Sequence, residues 1–333
     1  MAPSIVLVTG ASGYLGSCLV QRLSAEGYSI RALVRPGSPV ERLEALGVRI
    51  VQGDLGEADS VARATAGVSM VVHAGAGTRG TEQAMRRATV DGTRNVLDAC
   101  ARHGVRKLVY VSSCSVYDVA SQRPGSLVTE DSPLESHPDR RGGYSAAKQE
   151  AERLVAAVQA GSLSVTILRP GVLYGRGKVP YPPMVGIAFP GKALLVFGDG
   201  KGDLPLAHVD NVVEAIVLAL RGAAAGVFNV VDDGRVTRND YVQRLVRPTD
   251  PGARVLHVPL FLLRSLTALQ ELAMRPLRRK PFLTNYRLES ALRPLRYGND
   301  RIKAALRWMP RKGIEDAVDE SVPIGTGVGE RVE

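Results

Sequence analysis

Thr9-Gly10-Ala11-Ser12-Gly13-Tyr14-Leu15-Gly16 sets three glycines at intervals of three between a short apolar run, residues 5–8, and residues 15–23, whose apolar positions recur at helical spacing. Such a chain makes a strand, a tight turn and a helix in immediate succession. A second apolar run at 30–34 closes a unit of about 30 residues. Runs at 48–51, 70–72, 108–111, 165–168 and 227–230 repeat the theme, with helical stretches between them, among them 212–220. Short continuous apolar strands need cover on both faces, so the expected fold class is α/β, a parallel sheet flanked by helices.

At 333 residues, with 45% apolar and 23% charged residues, the chain has the composition of an ordered globular protein, which excludes a fibre or a disordered chain. Its net charge of +10 invites anionic partners without naming one. Neither a paired zinc motif nor an aromatic stacking platform accompanies that charge, so no nucleic-acid partner is expected. Cys18, Cys100 and Cys114 are odd in number and unpaired in spacing, which argues against a disulfide framework and against a metal site. A reducing, cytoplasmic location is expected, supported by an N-terminus without a basic leader and by the lack of a membrane-length apolar window.

The pattern divides into a dinucleotide-binding domain at 1–170, a loop-rich substrate-region insertion at 171–207, a return to the first domain at 208–232, a C-terminal substrate or cap region at 233–322, and a flexible tail at 323–333. Residues 264–312 carry 13 Lys or Arg against three acidic residues, and Leu262, Leu266, Leu269 and Ala273 share one helical face. Three readings stay open for this stretch: a solvated face, a surface for an anionic substrate or partner, and peripheral membrane contact. The leucine stripe equally suits packing beneath the cap. Trp308 is expected in the core.

The glycine turn suits a dinucleotide. Thr9, Gly10, Ser12, Gly13, Tyr14, Leu15 and Gly16 would bring backbone and helix N-terminus against a pyrophosphate. After the second strand, where an acidic residue would receive the ribose hydroxyls of NAD, the chain has Arg35 and Ser38. That pair suits a 2′-phosphate, so NADP is expected as the preferred cofactor with NAD admissible. The plainer reading of Arg35 is a solvated surface residue. Asp54 and Leu55 follow the third strand, Asp54 either as an adenine partner or as a turn aspartate. His73, Ala74 and Gly75 follow the fourth, with His73 better suited to packing than to acid-base work. Asn95 has two readings, a bridge to the catalytic helix and an internal anchor.

Tyr144 and Lys148, four apart, fall on one helical face after the serine segment Ser112-Ser113-Cys114-Ser115-Val116-Tyr117. Together with Gly53-Asp54-Leu55, residues 90–96, Arg169-Pro170, Tyr174-Gly175 and His208-Val209-Asp210, these motifs resemble an extended short-chain dehydrogenase/reductase of the NAD(P)-dependent epimerase/dehydratase superfamily. Within it, the text around His208 looks most like the 3-beta-hydroxysteroid dehydrogenase-like and dihydroflavonol-reductase-like branches. The resemblance implies a Rossmann-type sheet with a smaller mixed C-terminal substrate-binding region. It also implies an enzyme in which Tyr144 is the general acid or base, Lys148 holds the nicotinamide ribose and lowers the Tyr144 pKa, and Ser113 holds the substrate oxygen. Pro170 and Val172 would border the cofactor, and a homodimer is expected.

The serine segment lacks the Thr-Asp-Glu of sugar 4,6-dehydratases, and Val172 and Leu204 stand where nucleotide-sugar enzymes carry asparagine and arginine. The expected reaction is therefore interconversion of a ketone and a secondary alcohol on a non-nucleotide, fairly hydrophobic small molecule. The alternatives are a nucleotide-sugar epimerase or reductase, for which Lys201 or another basic residue would compensate for the missing arginine, and a regulatory NADP-binding protein without turnover. Tyr174, Tyr181, Ser136 and His137 are expected near the pocket, and His208 and Asp210 as structural links.

Overall fold

A computed structural model describes residues 5–158, 163–177, 181–189, 193–274 and 283–320. The tail at 323–333 and the cations Arg275, Arg278, Arg279 and Lys280 lie outside the described residues.

Seven strands form the main sheet: β1 (Ile5–Thr9), β2 (Ser29–Val34), β3 (Arg49–Gln52), β4 (Met70–His73), β5 (Lys107–Val111), β6 (Ser164–Pro170) and, last in sequence, Gly226–Val230. Every pairing is parallel, and the last strand lies beside β6, so the spatial order runs from it through β6, β5, β4 and β1 to β2 and β3. The architecture is a Rossmann-type sheet. β1 feeds β2 on one side while β4 returns on the other, and the carboxyl ends of β1 and β4 therefore border the crevice where such sheets take ligands.

Helix α1 (Tyr14–Ala25) packs Leu15, Leu19, Val20 and Leu23 against one face of the sheet, and α2 (Gly92–Arg102) turns Val96, Leu97, Ala99 and Cys100 to the other. Helix α3 (Gly143–Ala157) contributes Ala151 and Val155 to that second layer, and α4 (Val209–Arg221) closes the first. Each wholly buried Leu or Val stabilises by roughly 1.5–3 kcal/mol relative to exposure. Trp308 sits in the first layer fully buried, its indole N–H donating to the Asn211 carbonyl at 2.8 Å, which matches the core role expected of it.

The strands of a smaller mixed sheet are β7 (Gly186–Phe189), β8 (Ala193–Phe197) and, past the main-sheet strand Gly226–Val230, here β9, the strand β10 (Arg254–Val258). β8 pairs antiparallel with β7 and parallel with β10. Helices α5 (Leu260–Met274) and α6 (Asn285–Leu292) follow. The leucine stripe does not pack beneath the cap: Leu262, Leu266 and Leu269 face outward on α5.

Candidate active site

The turn after β1 is closed by the Gly13 amide donating to the Gly10 carbonyl at 3.0 Å. Gly10 has φ +71°, and a Cβ there would meet the Gly75 backbone at 2.8 Å; a Cβ on Gly16 would meet the Gly10 carbonyl at 2.0 Å. Both glycines are required by the protein's own packing. Gly13 differs, because a Cβ on it would meet only the Gly10 carbonyl, at 3.2 Å, and open space otherwise. No side chain caps α1 and no acidic residue occupies its first turn. The positive end of the helix dipole and the room at Gly13 fit a pyrophosphate. Ser12 is exposed at the same rim and Leu15 is buried behind it.

Around this turn the polar groups are ordered by one another. His73, fully buried, accepts from the Thr9 hydroxyl at Nδ1 (2.7 Å), while its Nε2 faces the Thr93 hydroxyl at 3.0 Å. Thr93 already donates to the Thr89 carbonyl at 2.6 Å, so it accepts from His73 and the ring proton is on Nε2. Burial, aided by the Lys148 charge, pushes the His73 pKa down to about 3, so the ring is neutral and serves as a strut. The same Thr9 oxygen accepts the Gly75 amide at 3.2 Å, which fixes the turn after β4. Asp54 closes its own turn, accepting from the Gly56 amide at 2.8 Å. Leu55 packs over Gly75 and Gly92, and Asn95 donates to the Leu55 carbonyl at 2.8 Å, acting as the internal anchor rather than a bridge to the catalytic helix. Arg35 is exposed, and the turn it begins is held by the Ser38 amide donating to the Arg35 carbonyl at 3.1 Å.

The structure brings Ser113, Tyr144 and Lys148 together. Ser113 caps a short turn, its hydroxyl accepting from the Ser115 amide at 3.1 Å. Tyr144 lies in the first turn of α3, after Gly142 at φ +115°. Burial raises the Tyr144 pKa, and a hydrogen bond with the Ser113 side chain pulls it back. The expected lowering by Lys148 gives way to this burial, which holds the phenol in its protonated form. Lys148 is buried, donates to the Val111 carbonyl at 2.7 Å and lies 5.1 Å from the centre of the Tyr110 ring. Desolvation pulls its pKa down to about 8, opposed by Glu152.

Glu152, unforeseen from sequence, is one further turn along the same face of α3 and is buried. It accepts from the Ser112 hydroxyl and from Arg169 Nε at 3.1 and 3.2 Å. Arg169 Nη1 donates to the Tyr117 hydroxyl at 2.8 Å, which in turn donates to Asn229 at 2.6 Å. This network ties the serine segment, β6 and β9 to the helix carrying Tyr144. The spacing Tyr144, Lys148, Glu152 was the available signal. Ser115 Oγ, also unforeseen, is buried without a partner among the described residues.

Other expected site residues are engaged elsewhere. Tyr174 donates to Asp232 at 2.7 Å, Tyr181 to Asp250, and Ser136 to Asp118 at 2.7 Å, while the His137 ring stands 6.3 Å from that of Tyr286. Pro170 ends β6 in the core; Val172 and Leu204 pack into the apolar cluster beneath the smaller sheet. His208, Asp210 and Glu320 bring ligand-type atoms within 4.8 Å of one another. However, His208 Nδ1 accepts the Asp210 amide at 3.2 Å, Asp210 pairs with Arg176 at 3.1 Å and Glu320 with Lys312 at 2.9 Å. The group links strand, helix and C-terminal segment.

Residues 6–231 match the NAD dependent epimerase/dehydratase family. The chain belongs to that family. It is 30% identical, over 96% of its length and 97% of the other's, to the 4-hydroxy-2-methyl-3-oxo-4-farnesyl-3,4-dihydroquinoline-1-oxide ketoreductase of Stigmatella aurantiaca. Over 66% of each chain it is 34% identical to the 2-alkyl-3-oxoalkanoate reductase of Stenotrophomonas maltophilia. Among solved structures, MoeE5 in complex with UDP-glucuronic acid and NAD superposes with a TM-score of 0.71 at 24% identity, covering 96% of this chain and 97% of that one. The chain is thus an NAD(P)-dependent oxidoreductase/epimerase-family protein acting on a small organic substrate.

The expected preference for NADP is corrected by these comparisons: solved structures of the same fold hold NAD. Arginine at the end of β2 is by residue type alone too weak a signal for a 2′-phosphate; Arg35 is exposed, at a turn held by its own backbone.

Proposed function

We propose that the protein interconverts a ketone and a secondary alcohol by hydride transfer with a bound nicotinamide dinucleotide. The observation that carries this reading is the Tyr144 phenol, hydrogen-bonded to Ser113 and one turn from the buried Lys148. The dinucleotide supplies or accepts the hydride when bound at the Gly10–Gly16 turn. Ser113 and Tyr144 hold the substrate oxygen through their hydroxyls. In reduction, Tyr144 passes its proton to that oxygen as the carbonyl carbon becomes carbinol; in oxidation it takes the proton back. A phenol kept protonated by burial suits the first direction, and the neighbouring ammonium offsets the phenolate that results.

For the substrate we favour a non-nucleotide ketone. Val172 and Leu204 are packed apolar side chains that offer a sugar diphosphate no charge, and the two curated relatives are named as reductases of oxo compounds. A nucleotide-sugar epimerase or reductase is the second reading and has the broader backing among solved structures, several of which hold UDP-sugars or are UDP-sugar epimerases. Purified protein is to be incubated with NADH and hydrophobic 3-oxo compounds, and separately with UDP-sugars. Cofactor oxidation stoichiometric with ketone loss supports the first reading. UDP-sugar interconversion without net cofactor turnover overturns it in favour of the second, and turnover unchanged in Tyr144→Phe rejects the mechanism common to both.

A further inference from the structure

The amino ends of β1, β2 and β3 border a cavity of ≈ 340 Å³. It lies a strand's length, roughly 13 Å, from the glycine turn at the carboxyl end of β1. Ile5, Ile30 and Leu46 give it an apolar wall, and Ser29, Arg31 and Arg49 supply polar groups. No carboxylate among the described residues lines it. Its volume falls within the range of small-ligand sites.

The two arginines stand abreast. In the parallel ladder Arg31 is the partner of Arg49, so their backbones are about 4.8 Å apart and both side chains leave the same face of the sheet. Arg31 is 6% exposed. Part of its guanidinium has a task within the fold: Nη1 donates to the Ala64 carbonyl at 2.8 Å and to the Ala66 carbonyl at 2.6 Å, closing the end of the helix Ala58–Thr65. Its Nε is buried without a partner among the described residues. Arg49 is exposed, with neither an ion pair nor a side-chain hydrogen bond among those residues. Burial and the Arg49 charge both pull the Arg31 pKa below the ordinary arginine range, and no acidic group opposes them.

A cation that closes a helix needs no second cation beside it. Where two arginines meet elsewhere in the fold an acid stands between them: Arg22 and Arg221 share Glu26, at 2.6 and 2.7 Å. Arg31 and Arg49 have no such acid, and neighbouring like charges repel unless an anion joins them. The uncompensated charge is about two units. A phosphate monoester brings about −1.5 to −2 at neutral pH, and its oxygens match the guanidinium fork. A carboxylate brings half of that, and the apolar wall favours an organic body over a bare ion. We propose that this cavity binds a small phosphate monoester, with its phosphate between Arg31 Nε and Arg49 and its organic part against Ile5, Ile30 and Leu46.

The test titrates the full chain with phenyl phosphate and with inorganic phosphate by calorimetry, ionic strength being held with sodium chloride. Wild type is expected to bind phenyl phosphate saturably and more tightly than inorganic phosphate. Arg49→Gln, with circular dichroism unchanged, is expected to weaken that binding by about tenfold or more, while Arg49→Lys, which keeps the charge, retains most of it. Because Arg49 is remote from the glycine turn, the difference between wild type and variant reads this cavity alone. In phosphate-free buffer Arg49→Gln is expected to melt no lower than wild type, since it removes a repelling neighbour. Wild type that binds neither compound overturns the proposal, as does a glutamine variant that binds like wild type. Phenyl phosphate binding no more tightly than inorganic phosphate overturns the assignment to an ester. A variant that melts well below wild type without phosphate gives Arg49 a structural task and overturns the site. None of these readouts passes through turnover, so they stand or fall apart from the proposed reaction.

Discussion

Helices α1 and α5 are both rich in leucine, yet they face opposite ways. α1 turns Leu15, Leu19 and Leu23 onto the sheet and sets its uncapped N-terminus at the glycine turn; α5 turns Leu262, Leu266 and Leu269 outward and holds itself down with Leu263, Thr267 and Gln270. The difference teaches that apolar spacing identifies a helix and its stripe but not the stripe's destination. In the first region the stripe has a parallel sheet to cover. In the second, a three-stranded sheet is already packed on its other side, and the stripe is left over.

The largest effect that would sharpen this contrast is catalytic. Tyr144→Phe is expected to lower kcat by about 10²–10⁴-fold with melting temperature and NAD affinity retained, measured by steady-state kinetics and calorimetry; a smaller loss would move the acid elsewhere. Next, Arg169→Met leaves Glu152 charged and buried, and is expected to cost about 3–5 kcal/mol of stability in denaturant unfolding, because removing one partner strands the other. Leu19→Ala and Leu269→Ala then test the comparison directly. The first should cost about 2–5 kcal/mol, the second within about 0.5 kcal/mol, and equal losses would break the distinction between covered and uncovered stripes.

A titration follows in size. The unfolded His73 ring binds a proton near pH 6.5 while the folded one resists until about 3, so the unfolded state holds the extra proton between those values. Its contribution to stability is whole above pH 6.5 and falls as pH drops toward 3. A plot of melting temperature against pH should flatten over that window in His73→Gln. Smallest in stability but telling for the site, Gly13→Ala is expected to weaken NAD binding by about tenfold with little change in melting temperature, whereas Gly16→Ala, which collides with the Gly10 carbonyl, should lower both.

Much of the first region was legible in the sequence. The three glycines, the apolar runs and the Tyr144 to Lys148 spacing are local signals, each set by a few neighbours along one chain segment, and in the structure Tyr144 shares a hydrogen bond with Ser113 on the helix that carries Lys148. Less legible were residues whose partners come from afar. Arg35 suggested a phosphate site because residue type alone does not say whether a guanidinium is solvated. The hydroxyls of Tyr174 and Tyr181 find their partners in Asp232 and Asp250, which lie far along the chain from them.

From its own order of residues, then, the chain determines a parallel α/β sheet, a glycine turn for a dinucleotide and a Tyr-Lys pair on one helix face, since period and spacing are properties of a single segment. Only the tertiary structure decides that Glu152 and Arg169 brace that helix, that His73 stays neutral, and that the leucines of α5 look outward. Those outcomes depend on burial and on long-range partners, which no single segment contains.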